Sequence, residues 1–354
     1  MTSLPPPFAA ADHPDADVYI IAEAGVNHDG SVADAHALIE LAARCGANAV
    51  KFQTFDPAAL VSASARTAEY QAASTGIASQ QELLRRLVLP LSAWPELHAH
   101  AIELGIDFLS TAFDLGSLDL VCGLGVRALK FGSGELTNRP LLVEAARRGL
   151  PVIASTGMGT EDEVATALDW LAGAPAVALL HCVSSYPAPV EQSNLRAIPA
   201  LAQHFGVPVG WSDHTLGAVS AVAAVALGAV ALEKHVTLDR DRPGPDHAAS
   251  ADEDGFRDYV RLARAARSAL GDGVKRPVLA EENVAPLVRR SWHASHDLAP
   301  GERLAADDVV LLRPAAGLAP ALELAGRTVA RAVAAGSPIT AENLTDDTAT
   351  DDPA

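Results

Sequence analysis

The feature that most restricts this chain's fold is an alternation of short apolar runs with longer amphipathic stretches. The runs are Val18–Ala24, Asn48–Phe55, Asp107–Phe113, Ala128–Gly132, Pro151–Ser155, Val177–Cys182, Pro208–Trp211 and Ala231–Val236. Several are apolar almost throughout, the pattern of parallel strands covered on both faces. Between them lie helix-like patterns such as Ser31–Cys45, Glu161–Leu171, Asn194–Phe205 and Gly217–Leu227, with Ser31 and Thr160 standing where N-caps are needed. Strand then helix, eight times over, predicts an α/β fold of the (β/α)8 TIM-barrel type.

What ends each run is the stronger clue. In order, the ends carry Glu23 and Asn27; Lys51 and Gln53; Ser110 and Thr111; Lys130, Ser133 and Glu135; Ser155 and Thr156; His181, Ser184 and Tyr186; Ser212, Asp213 and His214; and Glu233, Lys234 and His235. Barrel enzymes build their active sites at the C-terminal ends of the strands, so these clusters are expected to converge on one mouth. The chain has only four lysines among its 26 basic residues, and three of them fall in these clusters.

At 354 residues the chain is long for one core and suggests a large domain plus a small one. The expected boundaries are a disordered tail over 1–16, a barrel over 17–272, a linker over 273–289, a small domain over 290–346 and an acidic, disordered end over 347–354. The small domain holds an internal repeat: Ala299–Val309 reads APGERLAADDV and Ala334–Leu344 reads AAGSPITAENL. Two copies predict a pseudo-twofold module of short strands and turns, suited to act as a lid, a dimer module or a sugar-binding element.

The apolar fraction is 49%, and no apolar run reaches the ~18 residues that a membrane helix needs. The N-terminal stretch lacks the basic start and apolar segment of a signal peptide. Cys45, Cys122 and Cys182 are scattered, with no CxxC spacing, which points to reduced thiols in a cytoplasm and to small core residues. The net charge of −18 argues against nucleic acid and anionic membrane as partners.

His214 and His235 end neighbouring strands, where two imidazoles can share one divalent metal and leave positions for water and substrate; the alternative is two unrelated loop histidines. Asp213 and Glu233, each near one of these histidines, are candidates to orient them. Lys51 and Lys130 share a Lys-Phe frame whose alternation can point both inward. A buried ammonium needs an anion. A substrate phosphate or carboxylate meets that need, with Ser133, Ser155, Ser184 and Ser212 adding hydroxyls and Gly132, Gly134 and Gly157 letting backbone N–H groups approach. Internal pairing to Glu135 or Glu233, or a Schiff-base role, remain open for these lysines. Glu23, inside an apolar run, is either paired with a lysine or an acid/base group. Tyr186 is either a core aromatic or a flank of the substrate. Asp246, in a turn beyond the eighth run, is placed to overhang the mouth.

These stretches resemble the sialic acid synthase family, the N-acetylneuraminate and related nonulosonate synthases. The resemblance is carried by IAEAGVNHDGS from Ile21, VKFQTF from Val50, FLSTAFD from Phe108, KFGSGELTN from Lys130, STGM from Ser155, HCVSSYPAP from His181, GWSDHTLG from Gly210, EKHVTLDR from Glu233 and GPDHAAS from Gly244. The small C-terminal domain is similar to the family's antifreeze-like SAF domain. The resemblance implies a metal-dependent condensation of phosphoenolpyruvate with an N-acyl mannosamine-type aldehyde, giving phosphate and a nine-carbon 2-keto acid. It implies a divalent ion of the manganese type, with magnesium or cobalt as alternatives, on His214 and His235. It further implies a phosphoenolpyruvate site of Lys51, Thr111, Lys130, Ser133, Ser155, Ser184 and Ser212. Glu23 and Glu233 become the catalytic carboxylates, and Gln53, Tyr186 and Asp246 contact the sugar. Arg313, in LLRPAAGL, matches an arginine that crosses to the other subunit, so a domain-swapped homodimer is expected. The chain departs from the family pattern at Ala112, at Ser184 and at Ala315-Ala316, positions that bear on the sugar more than on the chemistry. A Schiff-base aldolase using Lys130 or Lys234 and a catalytically silent carbohydrate-binding protein are the competing readings.

Overall fold

The computed structural model describes residues 17–67 and 75–345; the tails expected over 1–16 and 347–354 lie outside the described residues. The chain divides into two compact units between Asp272 and Gly273. In the first unit eight strands close into a barrel in sequence order. They are β1 Tyr19–Gly25, β2 Ala49–Thr54, β3 Asp107–Ala112, β4 Leu129–Phe131, β5 Val152–Ser155, β6 Val177–Cys182, β7 Val209–Asp213 and β8 Ala231–His235. All neighbours are parallel, and β1 pairs with β8 to close the ring. Helices Val32–Arg44, Ala93–Glu103, Leu115–Gly123, Arg139–Ala146, Glu161–Trp170, Ala197–Phe205, Val219–Ala226 and Glu253–Leu270 follow the eight strands in turn.

Strand alternation sorts the side chains into two layers. Ile20, Val50, Phe52, Phe108, Phe131, Trp211 and Leu232 face outward into a single apolar layer shared with the helices. Within it Phe52 stacks on Phe108 at 5.5 Å and meets the edge of Trp94 at 6.2 Å. Emptying that junction by Phe52→Ala would cost about 3–5 kcal/mol. Tyr19, Ile21, Ala49, Leu109, Ala128, Ile153, Ala178, Leu180 and Ala231 face inward and plug the barrel. Small residues at several of these positions fit a narrow lumen.

The caps hold: Ser31 accepts from the Asp34 N–H at 3.2 Å, and Thr160 with Glu163 forms a reciprocal capping box. Two expected boundaries shift. The helix read from Asn194 begins at Ala197, because Asn194 sits at φ 45°, outside helical space. The seventh strand runs on through Ser212 and Asp213, polar residues that hid its end.

In the second unit β9 Ser291–Ala294 pairs antiparallel with β10 Val309–Leu312 around a small apolar core that includes Leu298, Leu324 and Ile339. The sequence repeat is realised in space. Leu298 and Val333 exchange N–H···O bonds of 2.8 and 3.1 Å, and Ser295 N–H to Asp308 O (2.9 Å) has its counterpart in Ala330 N–H to Asn343 O (2.8 Å).

Candidate active site

Above the apolar plug the inward positions become ionic. Steps of two along the strands bring Glu23 of β1, Lys51 and Gln53 of β2, Thr111 of β3, Lys130 of β4, Ser155 of β5, Ser212 of β7, and Glu233 and His235 of β8 to the lumen. With Ser133, Ser184, Tyr186 and His214 they line a cavity of about 270 Å³ at the C-terminal end of the barrel. Every residue expected to bind phosphoenolpyruvate therefore lies on one wall system, together with both histidines, Gln53 and Tyr186.

Lys51 Nζ lies 2.8 Å from Glu23 Oε2 and 3.6 Å from Glu233 Oε2, and donates to Thr111 Oγ1 at 3.0 Å. Lys130 Nζ lies 3.6 Å from Glu233 Oε2 and donates to Ser155 Oγ at 2.8 Å. Ser212 Oγ donates to Glu233 Oε1 at 3.0 Å, and Gln53 Nε2 to Glu23 Oε1 at 3.2 Å. The internal partners of the lysines are thus Glu23 and Glu233; Glu135 instead accepts from Asn138.

These contacts drive the two carboxyls apart. Burial pushes Glu23 above the ordinary carboxylate range, against the pull of Lys51 and with help from Glu233. Burial also acts to raise Glu233, but Lys130 and Lys51 outweigh it and hold the group low. A pair of carboxyls split in this way separates an ionised counter-charge from a group able to exchange a proton.

His214 Nδ1 lies 2.7 Å from the Val183 carbonyl. A carbonyl only accepts, so Nδ1 carries the hydrogen and Nε2 keeps its lone pair. Burial lowers the proton affinity of His214 and, further, of His235, leaving the neutral form that metals require. The two rings stand 5.5 Å apart, and Tyr186 packs 4.1 Å from His214 and 5.6 Å from His235. His235 Nδ1 is buried without a hydrogen-bond partner; Asp246 Oδ2 lies 3.9 Å away. A stranded nitrogen of this kind is costly unless a ligand uses it. Two neutral imidazoles and one orphaned nitrogen fit a divalent ion with further positions open to substrate and water.

Other expectations fall elsewhere. Asp246 is buried beside His235 rather than lining the cavity, and burial, opposed by His247, pushes its carboxyl up to about 6. Its turn is tethered: His247 Nε2 meets Asp29 Oδ2 at 2.9 Å and Nδ1 meets Thr237 Oγ1 at 2.7 Å, which fastens the segment down. Lys234 and Asp213 point outward, away from the cavity, which removes Lys234 as a Schiff-base candidate at this site. Arg313 follows β10 in the second unit and is exposed there. Of the three glycines, only Gly157 is forced. An added Cβ would stand 2.7 Å from Ser133 Oγ and Cys182 Sγ and closer still to Ser184 Oγ, whereas Gly132 and Gly134 have room. Gly157 N–H donates to Ser133 Oγ at 2.9 Å.

Sequence reasoning missed Phe113, Met158 and Cys182, all on the cavity wall. Cys182 was legible by parity, the next position in the inward series Ala178, Leu180; its sulfur lies 3.1 Å from Ser133 Oγ. Met158, held at φ 64° in a loop, gave no periodic signal.

Comparisons with known proteins point to one family over most of the chain. The NeuB family profile matches residues 38–275 and the SAF domain profile residues 289–345. N,N'-diacetyllegionaminic acid synthase of Legionella pneumophila is 42% identical over 335 residues, 92% of this chain and 94% of the relative. N-acetylneuraminate-9-phosphate synthase of Drosophila melanogaster is 39% identical over 66% of this chain and 63% of the relative. The crystal structure of N-acetylneuraminic acid synthetase from Leptospira borgpetersenii, in complex with citrate, superposes with a TM-score of 0.67 at 34% identity, covering 76% of this chain and 90% of that one.

Proposed function

From a chain that belongs to the NeuB, or sialic acid synthase, family, we propose an enzyme that condenses phosphoenolpyruvate with an unphosphorylated N-acyl amino-sugar aldehyde. A new carbon–carbon bond forms, water adds, phosphate leaves, and the product is a nine-carbon 2-keto acid of the legionaminate or neuraminate class. The observation that carries this reading is the pairing, in one cavity, of two buried lysines with two carboxyls whose proton affinities their surroundings drive in opposite directions.

Lys51 and Lys130, with Thr111, Ser133, Ser155, Ser184 and Ser212, hold the phosphate and carboxylate of phosphoenolpyruvate, which take over from Glu23 as partners of Lys51. Glu233 stays ionised and fixes both lysines. Glu23 exchanges the proton at the reacting centre. His214 and His235 hold a divalent ion, manganese in the first instance, which would supply Lewis-acid polarisation of the aldehyde oxygen. Gln53, Tyr186 and Asp246 orient the sugar, Asp246 by way of His235. Arg313 of a second copy completes the site in a domain-swapped homodimer. The free cysteines Cys45, Cys122 and Cys182 support a reducing cytoplasm as the setting. Among the described residues no helix is long and apolar enough to cross a membrane.

The cavity also favours a free over a phosphorylated sugar. Among the described residues of one chain, no arginine and no third lysine lines it, so a second phosphate would have to share Arg313 of the second copy with the N-acyl group. The test is phosphate release from phosphoenolpyruvate with Mn²⁺ and a panel of N-acyl hexoses. Release that needs both sugar and metal, and stops with chelator, is expected; release without sugar, or lysine labelling by borohydride with a keto acid, would overturn the reading.

A further inference from the structure

One buried ammonium ties together the two backbone segments that carry the imidazoles. Asp213 and Lys234 are register partners at the end of the β7–β8 pair, facing away from the cavity. Each immediately precedes a histidine: Asp213 stands before His214, and Lys234 before His235. Both are buried, as are Thr215 and Ser220.

The contacts form a closed set. Asp213 Oδ1 accepts from the Thr215 N–H and the Thr215 hydroxyl, both at 2.8 Å, and Oδ2 accepts from Ser220 Oγ at 2.7 Å. The turn at Asp213–Thr215 is thereby folded around His214. Lys234 Nζ donates to the Thr215 carbonyl, lies 3.6 Å from Asp213 Oδ1, and sits 5.4 Å from the centre of the Tyr259 ring. The Thr215 peptide is therefore gripped on two sides, by Asp213 of its own strand and by Lys234 of the next. Tyr259, on helix Glu253–Leu270, adds a wall behind the ammonium.

We infer that Lys234 is a positioning residue for the metal site: from outside the barrel wall it fixes the separation and orientation of the His214 and His235 imidazoles. This rests on the reading of those histidines as metal ligands given above. The physical argument is pre-organisation. Two ligands on different strands bind an ion tightly only where the backbone holds them in place before the ion arrives, and partners behind the ligands are worth about tenfold to a hundredfold in metal affinity. Here the link runs through the main chain rather than through a hydrogen bond to the imidazole, since His214 Nδ1 is already engaged by Val183.

The experiment is Mn²⁺ binding, followed by electron paramagnetic resonance, to the chelator-treated full chain and to Lys234→Met. Phosphoenolpyruvate affinity without metal and the far-ultraviolet circular dichroism are recorded on the same samples. Lys234→Met is expected to weaken Mn²⁺ binding about tenfold to a hundredfold while phosphoenolpyruvate affinity stays within about twofold, a split that general damage would not produce. Asp213→Asn keeps the turn's acceptor but removes the charge facing Lys234. It is expected to weaken Mn²⁺ in the same direction, and it decides the matter if Lys234→Met does not fold. Wild-type Mn²⁺ affinity in folded Lys234→Met or in Asp213→Asn, or a parallel loss of both affinities, would overturn the inference and leave the metal ligands in place. No Mn²⁺ bound by the unaltered chain would overturn the ligand assignment and this inference together.

Discussion

The two faces of the barrel wall carry lysines in opposite circumstances. On the outer face Lys234 takes its partners from the fold, a carbonyl, a carboxylate and an aromatic ring, and does not line the cavity. On the inner face Lys51 and Lys130 share Glu23 and Glu233 around open space. Partners that face a cavity can be exchanged for a ligand, while partners locked between strands and helices cannot. The difference teaches that a lysine at a strand end is not in itself a site. Strand parity decides whether its charge serves the fold or the substrate.

This contrast can be broken most sharply at the ligands themselves. His235→Ala should remove bound Mn²⁺ and lower turnover about a hundredfold to a thousandfold, the scale of losing an electrostatic catalyst; metal analysis and phosphate release check it. Next, Lys130→Met should lower kcat/KM for phosphoenolpyruvate about a hundredfold or more, since buried charge–charge contacts to a ligand are worth about 2–5 kcal/mol. Its melting temperature should change little, because Lys51 remains beside Glu233. The outer lysine should behave in the reverse way towards stability. Lys234→Met leaves Asp213 as an uncompensated buried charge and is expected to cost about 3 kcal/mol in chemical denaturation. A larger stability loss at Lys130 than at Lys234 would erase the distinction drawn here. Arg313→Ala should raise KM for the sugar several-fold more than for phosphoenolpyruvate; equal changes would remove its role at the sugar.

A further effect concerns pH. The Asp246 carboxyl rises from 3.8 to about 6 on burial, so the folded state binds its proton more tightly than the unfolded chain does. The cost of ionising it is absent below the unfolded value and complete above the folded one, and stability is lost as pH rises between them. Asp246→Asn lacks this titration. Relative to the unaltered protein it should gain unfolding free energy from pH 4 to pH 7, by at most about 3 kcal/mol at the 1.36 kcal/mol per unit conversion. A constant difference across that range would show that Asp246 is not held in this way.

Much of the barrel was legible because parallel strands buried on both faces leave an apolar trace. The polar ends of those runs marked the mouth. Glu23, Lys51, Lys130, Ser155, Glu233 and His235 meet there because each sits an even number of residues from an inward apolar neighbour such as Ile21, Ala49 or Ala231. What stayed hidden depended on direction or on long-range pairing. The outward turn of Lys234 and Asp213 follows from parity, yet their polar character grouped them with the mouth. The burial of Asp246 depends on Asp29 and Thr237, which only the closed barrel brings to His247. Met158 reaches the cavity through a left-handed backbone position in a loop, for which no side-chain pattern exists.

The most direct test of the central claim is the mass of the product formed when phosphoenolpyruvate, Mn²⁺ and an equal mixture of free and 6-phosphorylated N-acyl hexose are supplied together. A nine-carbon keto acid without phosphate is the result this cavity predicts, formed with one inorganic phosphate per product. A phosphate-bearing product, or none with phosphoenolpyruvate left intact, would contradict it.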